Sequence, residues 1–195
     1  MKNNILEIIF EISSELNIPA VILGGLALPA YNVARTTLDI DICIYVTSQE
    51  KLDLFLDALK EKKIISHQNP KIYQDLFVVF GLNSEAEIWL KPCDLFDWDE
   101  KMVKKIKQFF ENVYVLSIED FILTKLARMD RSSIDISDVL KILIANKDII
   151  DWKYLKYRLE WKGLVNDFKE IMKAFNLNDN QSEISQEILK KYNNS

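Results

Sequence analysis

The chain has 195 residues, a formal net charge of −5 at pH 7 and 49% hydrophobic residues, enough for a sizeable core in one domain or a small pair. The acidic balance is the opposite of what a dedicated nucleic-acid-binding protein shows. Cys43 and Cys93 are too few for a disulfide framework and lack the clustered partners of a zinc site. The apolar runs are too short for a membrane span, and the first residues lack a signal-peptide pattern. These two features predict a cytoplasmic protein with no membrane partner.

The first predicted elements lead to a glycine pair. An amphipathic helix is predicted over 4–16, followed by a short apolar strand that ends at Gly24 and Gly25. A second helix is predicted over 26–34, because Pro29 is tolerated only near a helix start. Two residues without Cβ allow a sharp turn and a close approach of phosphate to the backbone amides. The amino end of the second helix would add a partial positive charge there.

The next predicted element is an acidic strand. Asp39 and Asp41 lie two residues apart in an apolar run, so on a strand both carboxylates point to one face while Ile40 and Ile42 take the other. Two adjacent carboxylates repel each other unless they are solvated or share a cation. Mg²⁺ is the fitting cation, since it is held by one or two carboxylates together with substrate phosphates. Cys43 shares this face and is predicted to be a small buried residue.

The elements between residues 47 and 116 alternate between helix and strand. Thr47 and Glu50 form a predicted capping box that opens a helix, and Asp97 with Glu100 predicts the start of another. The second of these helices would carry Lys101, Lys104, Lys105 and Lys107 as a solvated face or, alternatively, as a contact to phosphate or RNA. Strands are predicted near 63–66, 75–82, 86–91 and 112–116, the second and third joined as a hairpin across Asn83 and Ser84.

From about residue 118 the pattern is helical to the end. Ser117 and Asp120 form a helix start, followed by an apolar face of Phe121, Ile122, Leu126 and Met129. Asp135 and Asp138 are predicted to cap or solvate the next helix, or Asp135 to orient Lys125 or Arg128. The aromatic residues near 152–161 suggest a packed bundle. The predicted fold is α+β, a small mixed sheet with flanking helices over 1–116 and a helical carboxy-terminal region over 117–195.

The segment 21–46 resembles the nucleotidyltransferase superfamily that shares a polymerase-beta-like minimal core. Its closest likeness is to the abortive-infection toxin type and to uncharacterised prokaryotic relatives. Those proteins are similar in having Gly-Gly and then an Arg-x-Thr-x-Asp-x-Asp run, matched here by Arg35, Thr37, Asp39 and Asp41. The resemblance implies a metal site for Mg²⁺ or Mn²⁺ at the two aspartates.

The same resemblance implies a third carboxylate on a later strand. Glu87 is the first candidate, at a position where relatives tend to have aspartate followed by apolar residues. Asp94 is the alternative and lies beyond Pro92, past the expected strand end. A third acid that did not reach the pair would leave a degenerate site that binds nucleotide without catalysis.

The implied function is metal-dependent transfer of a nucleoside monophosphate from a nucleoside triphosphate such as ATP to a hydroxyl group. Gly24 and Gly25 would cradle the triphosphate, with Thr37 beside them. Arg35 would contact phosphate or fix the loop, and Lys125, in a stretch similar to relatives of the toxin type, would neutralise triphosphate charge. The acceptor is left open between tRNA, a protein and a small molecule, and an antitoxin partner is expected if the chain is a toxin. The alternatives are a non-catalytic nucleotide-binding regulator and a structural protein.

Overall fold

A computed structural model describes residues 4–176 and 182–195. The chain forms a mixed α+β fold with a six-stranded sheet, as the sequence predicts. Two compact units can be separated: a first unit, up to Ala30 and Arg35–Leu116, and a second unit, Tyr31–Ala34 and the described residues from Ser117 onward. In the described ranges, no helix combines the length and the apolar character that crossing a membrane requires.

The first unit is built on a mixed sheet whose strand order is β3-β4-β2-β1-β6-β5. The strands are β1 (Ala20–Ile22), β2 (Asp41–Ile44), β3 (Leu76–Phe80), β4 (Glu85–Trp89), β5 (Lys107–Phe110) and β6 (Val113–Val115). β2 runs antiparallel to β1 and parallel to β4, so it has a partner on each side. Ile42, Cys43 and Ile44 are fully buried, as expected for a strand in the interior of a sheet. The prediction that Cys43 is a buried residue is confirmed.

Two helices of the first unit begin at well-defined caps. α1 (Ile5–Glu15) starts at Asn4, whose side chain and that of Glu7 form a capping box, and α2 (Gln49–Glu61) starts at Ser48. The prediction of a capping box from Thr47 is wrong by one residue, because the hydroxyl of Ser48 accepts the amide of Lys51. Both helices bury one apolar face, which consists of Ile5, Ile9, Phe10 and Ile12 on α1 and of Leu52, Phe55 and Leu59 on α2.

The predicted hairpin is confirmed, since β3 and β4 pair antiparallel across the turn at Asn83 and Ser84. The strand predicted at 63–66 is wrong, because only a single bridge joins Ile65 to Phe80 there. The α-helix predicted over 26–34 is also wrong. A 3₁₀-helix, η1 (Gly25–Tyr31), takes its place and contains Pro29. Pro29 has no backbone N–H to donate and cannot sit in the interior of a regular α-helix, and the 3₁₀ form suits such short pieces.

The lysine-rich segment differs most from its prediction. α3 (Glu100–Lys104) is capped by Asp99 rather than Asp97, and it ends before Lys107, which lies on β5. Every residue of β5 is exposed, including both of its phenylalanines. β5 forms because β6 offers an antiparallel partner, a contact that the helical spacing of the lysines does not encode.

The second unit contains five helices in the described ranges: α4 (Ile118–Ala127), α5 (Ser133–Asn146), α6 (Trp152–Lys162), α7 (Val165–Asn176) and α8 (Ser182–Asn193). The predicted cap at Ser117 is confirmed, and all residues of α4 are buried. Met129 is 77% exposed because α4 ends at Ala127, so its predicted place on the apolar face is wrong. The predicted helical pattern continues through 177–181, which lie outside the described residues.

Polar side chains are buried between α4 and α6. The Asp120 carboxylate accepts hydrogen bonds from Ser117 and from the hydroxyl of Tyr154, and lies 2.7 Å from Nε of Arg158. The guanidinium of Arg158 stacks over the ring of Trp161, which is 42% exposed. The aromatic residues of α6 therefore border a buried polar cluster, while the fully apolar part of its packing comes from leucines.

Candidate functional site

The candidate site is built on the strands at the centre of the sheet. Asp41 opens β2, and in the parallel ladder with β4 it is paired with Glu87. The amide of Glu87 donates to the carbonyl of Ile40 at 2.9 Å, which fixes this register. Residues paired in a parallel ladder point to the same face, so the two carboxylates lie on neighbouring strands of one face. Both residues are partly exposed and therefore accessible to a ligand.

Gly24 lies against the carboxylate of Asp41. A Cβ atom at this position would be 2.9 Å from Cγ of Asp41 and closer still to Oδ2, and the backbone has a positive φ of +57°. The amide of Leu23 donates to the carbonyl of Asp41 at 2.8 Å, which holds the turn beside β2. Two independent features therefore disfavour a side chain at position 24: the left-handed backbone and the neighbouring carboxylate. Gly24, which follows β1, Asp41 on β2 and Glu87 on β4 therefore lie on three successive neighbours across the sheet.

Gly25 and Asp39 both meet Thr37. A Cβ atom at Gly25 would lie 2.9 Å from Cγ2 of Thr37. The hydroxyl of Thr37 accepts the amide of Asp39 at 3.3 Å and lies 3.5 Å from its Oδ2. Asp39 itself is exposed and precedes β2, so the prediction that both aspartates lie on one strand is wrong. The reason is that the side-chain hydrogen bond to Thr37 gives the backbone of 37–39 a local turn in place of a ladder.

Glu87, the first candidate for the third acid, has an unexpected neighbour. The indole Nε1 of Trp89 donates to Oε2 of Glu87 at 3.2 Å. Sequence alternation places both residues on one face of β4 but does not reveal the hydrogen bond. Asp94 lies in a turn beyond the end of β4. The hydrogen bond from Lys91 to Asp75 is the main cause that raises the pKa of Lys91, and the charge of Asp94 adds a smaller contribution. Glu87, not Asp94, is thus in register with Asp41.

The two predicted cations have different surroundings. Arg35 is partly buried in the irregular segment that leads to Thr37 in the first unit. Lys125 belongs to the second unit and is only 6% exposed. Its Nζ lies 2.9 Å from Oδ1 of Asp135 and 3.2 Å from Oδ2 of Asp138. The expectation that Asp135 caps α5 or orients Lys125 is met in both ways, because Asp135 also forms a capping box with Ser132. A nucleotide contact by Lys125 stays a prediction.

The stability that this ion pair contributes depends on pH through the carboxyl group of Asp135. Burial alone would raise the pKa of its carboxyl, but hydrogen bonds from Lys125 and from Ser132 outweigh burial and lower the pKa from 3.8 to about 2. The folded form therefore favours the ionised carboxylate, and this contribution to stability is complete above about pH 4 and is lost as the pH falls toward 2.

We accordingly expect the free energy of unfolding to fall between pH 4 and pH 2, and to fall less steeply in Asp135→Asn. Denaturant titrations at several pH values measure this slope. Ser132→Ala removes hydrogen bonds to Asp135 but keeps Lys125, so an intermediate slope is expected. Equal slopes for all three proteins would contradict the assignment.

The chemistry of the acidic residues fits a magnesium ion. Within 4–176 and 182–195, no three His, Cys, Asp or Glu side chains already converge as a metal-binding group. Mg²⁺ does not require one, since it is usually held by one or two carboxylates while water and substrate phosphates complete its shell. Asp41 with Glu87 or Asp39 supplies such oxygen ligands, and the absence of a Cβ at Gly24 leaves the space that the carboxylate of Asp41 occupies.

Three solved structures resemble the chain at low identity. A solution structure of the antibiotic-resistance factor ANT(2'')-Ia has 15% identity and a TM-score of 0.49, covering 89% of this chain and 94% of that chain. A crystal structure of ANT(2'')-Ia in complex with adenylyl-2''-tobramycin has 16% identity and a TM-score of 0.47, covering 80% and 94%. JHP933 from Helicobacter pylori has 19% identity and a TM-score of 0.42, covering 94% and 84%.

Family membership rests on the sequence match rather than on these likenesses, whose TM-scores are all below 0.5. The chain has no match among curated proteins. One family model matches residues 3–189, nearly the whole chain, and includes the glycine pair and all of the acidic candidates. The chain therefore belongs to the family described as "Nucleotidyltransferase of unknown function (DUF6036)".

Proposed function

We propose that the protein is a metal-dependent nucleotidyltransferase that moves a nucleoside monophosphate from a nucleoside triphosphate to a hydroxyl acceptor. The observation that supports this most is the alignment of Gly24, Asp41 and Glu87 across adjacent parts of one sheet. A turn without side chains beside two carboxylates allows a triphosphate to approach both the backbone amides and a cation. The acceptor oxygen forms a bond to the α-phosphorus while the bond to the bridging oxygen breaks, and pyrophosphate leaves.

Each residue has a role in this proposal. Asp39, Asp41 and Glu87 hold Mg²⁺ or Mn²⁺, which when bound neutralises charge on the phosphates. Glu87 also serves as the acceptor for the proton of the attacking hydroxyl, in the manner of a general base. The amides of Gly24 and Gly25 contact the triphosphate, with Thr37 at the turn. The three carboxylates are all accessible to solvent in the described residues, as ligand binding requires.

Two cationic residues, one in each unit, are proposed as phosphate contacts. Arg35 is two residues before Thr37 in the same segment, and its guanidinium suits a bidentate contact to phosphate. Lys125 is proposed as a second phosphate contact, although it must then share its ammonium group with Asp135 and Asp138. A Lys125 substitution described in the Discussion separates this role from the ion pairs.

The proposal also includes an acceptor, a nucleotide and a cellular role. The resemblance to abortive-infection toxins favours a tRNA, a protein or a small molecule as acceptor, ATP among the donors, and an antitoxin as partner. We place the reaction in the cytoplasm because nucleoside triphosphates are available there. The transfer of a nucleoside monophosphate to a hydroxyl group corresponds to EC 2.7.7.

A second candidate is a nucleotide-binding regulator without catalysis. One observation favours it: an oxygen of the Glu87 carboxylate already accepts a hydrogen bond from Trp89. Such a protein would bind nucleoside triphosphates in a metal-dependent way and release no pyrophosphate. Turnover therefore separates the two candidates.

The experiment is label transfer from each α-labelled nucleoside triphosphate, with Mg²⁺ or Mn²⁺ and with total tRNA or cell extract as acceptor. We expect a labelled product with the wild type. Asp39→Asn with Asp41→Asn should reduce transfer to below about one thousandth, since loss of a single electrostatic group in a catalytic site alone costs ~10²–10³.

Asp53→Asn with Asp57→Asn is the matched control, because both residues are exposed on α2 and the chemical change is the same. This control should transfer label at the wild-type rate. Equal transfer by the Asp39/Asp41 variant would refute the mechanism. Metal-dependent nucleotide binding without any product from the wild type would favour the regulator.

A further inference from the structure

A side-chain hydrogen bond joins Trp89 and Glu87 on β4. The indole Nε1 donates to Oε2 of Glu87 at 3.2 Å. Glu87 has a long side chain whose last torsion is broad and weakly restrained by intrinsic preferences. A donor that binds one oxygen restricts that torsion and still leaves lone pairs of the carboxylate for another ligand.

The donor is itself held rigidly by the sheet. Trp89 is the last residue of β4, which lies between β2 and β3. Trp89 is paired with Cys43 on one side and with Leu76 on the other, while Glu87 is paired with Asp41 and Val78. Since both residues lie on the same strand, their separation is fixed by backbone geometry rather than by a loop. The indole is only partly exposed, so solvent competes weakly for its N–H.

We propose that Trp89 is a positioning residue that orients the Glu87 carboxylate for metal binding, an inference that rests on the proposed function. Trp89 acts through Glu87 and contacts neither nucleotide nor metal. Groups that hydrogen-bond a metal-binding carboxylate orient it and tune its affinity for the ion, and their loss typically costs about 10–100-fold in metal affinity or activity.

The first test is Trp89→Phe, which keeps an aromatic ring and removes the N–H. We expect a 10–100-fold higher midpoint for Mn²⁺ binding, a lower kcat, and an unchanged KM for the nucleotide. Mn²⁺ binding is followed by its electron paramagnetic resonance signal, so it does not depend on turnover. In a Glu87→Leu background Trp89→Phe should have no further effect on the Mn²⁺ midpoint, because Trp89 acts through the carboxylate.

Trp98→Phe is the matched control. Its indole Nε1 donates to the carbonyl of Ile44 at 3.1 Å, so the substitution also removes one indole hydrogen bond in the same unit. It should leave the Mn²⁺ midpoint unchanged. A similar loss of stability in both variants, with a metal effect confined to Trp89→Phe, is the expected pattern. Equal Mn²⁺ midpoints for Trp89→Phe and the wild type would overturn the proposal.

An independent readout uses the indole resonances of protein labelled with ¹⁵N-tryptophan. The chain has four tryptophans, and Trp89→Phe identifies the signal of Trp89 by its disappearance. We expect this signal to shift on addition of Mg²⁺ and in Glu87→Leu, while the signal of Trp98 stays in place. A Trp89 signal that is unchanged by Glu87→Leu, which removes the acceptor, would show that the hydrogen bond is not formed.

These outcomes separate the inference from the proposed function. If the wild type binds Mn²⁺, and Asp39→Asn with Asp41→Asn abolishes binding while Trp89→Phe leaves it unchanged, then the metal site stands and the positioning role is wrong. If Mn²⁺ binding is absent from the wild type, the proposed metal site is wrong, and the positioning role is wrong with it.

Discussion

Replacement of Gly24 by alanine is expected to lower the free energy of unfolding by roughly 2–5 kcal/mol and to abolish nucleotidyl transfer. A left-handed backbone costs an L-residue about 1–2 kcal/mol, and forcing an additional methyl group into a packed site costs about 1–3 kcal/mol more. The new Cβ would lie 2.9 Å from Cγ of Asp41, so that carboxylate must move. Denaturant titration measures the first effect and label transfer the second.

Two other glycines provide matched controls. Gly163 also has a positive φ, +69°, but a Cβ atom there would meet nothing within 4 Å, so Gly163→Ala isolates the backbone cost of about 1–2 kcal/mol. Gly81 has neither feature, and its Cβ would make only ordinary contacts from 3.5 Å. We expect Gly24→Ala to be the most destabilising of the three and the only one that abolishes transfer. If Gly24→Ala lowered the free energy of unfolding no more than Gly163→Ala does, the side chain of Asp41 would be able to move aside without measurable strain.

Lys125→Met should destabilise the second unit by about 3–5 kcal/mol, the usual consequence of removing one partner from a buried ion pair. The substitution leaves two carboxylates, with side chains 7% and 1% exposed, without their shared cation. Lys104→Met is the matched control, since its pair with Glu100 has side chains 75% and 87% exposed. Exposed pairs of this kind contribute little, so thermal or denaturant unfolding should barely change.

A second substitution distinguishes the ion pairs from nucleotide binding. Adding Asp138→Asn to Lys125→Met removes one of the two stranded charges, and we expect it to restore part of the lost stability. If Lys125 also contacts the triphosphate, KM for the nucleotide should stay elevated in the stabilised double variant. A wild-type KM there would limit Lys125 to its structural ion pairs.

The glycine turn and the shared face of side chains along β4 follow well from the sequence, because both depend on local patterns. A pair of glycines after an apolar run predicts a sharp turn, and alternation along β4 predicts that Glu87 and Trp89 share a face. The pairing of Asp41 with Glu87 follows once the hairpin is placed beside β2. Which acid completes a metal site still depends on side-chain contacts that periodicity does not specify.

The sequence-based predictions are wrong where a distant partner or a side-chain hydrogen bond determines the conformation. Asp39 fits a strand by its alternation with Asp41, yet its amide is bound by Thr37, and the ladder begins only at Asp41. Lys107 fits a helix by its spacing, but β6 recruits it into a strand. In the same way the cap at Ser117 is local and predictable, whereas the contact between Asp120 and Arg158 joins distant parts of the chain.

Asp39 and Asp41 are separated by one residue but are anchored differently. Asp41 is held by pairing with Glu87 on one side and by the amide of Leu23 on the other, whereas Asp39 belongs to an irregular segment in which its amide binds the hydroxyl of Thr37. Loops reorganise at lower free-energy cost than paired strands do. The site thus has one carboxylate that serves as a fixed reference point and another that can adjust to the charge and size of whatever arrives beside it.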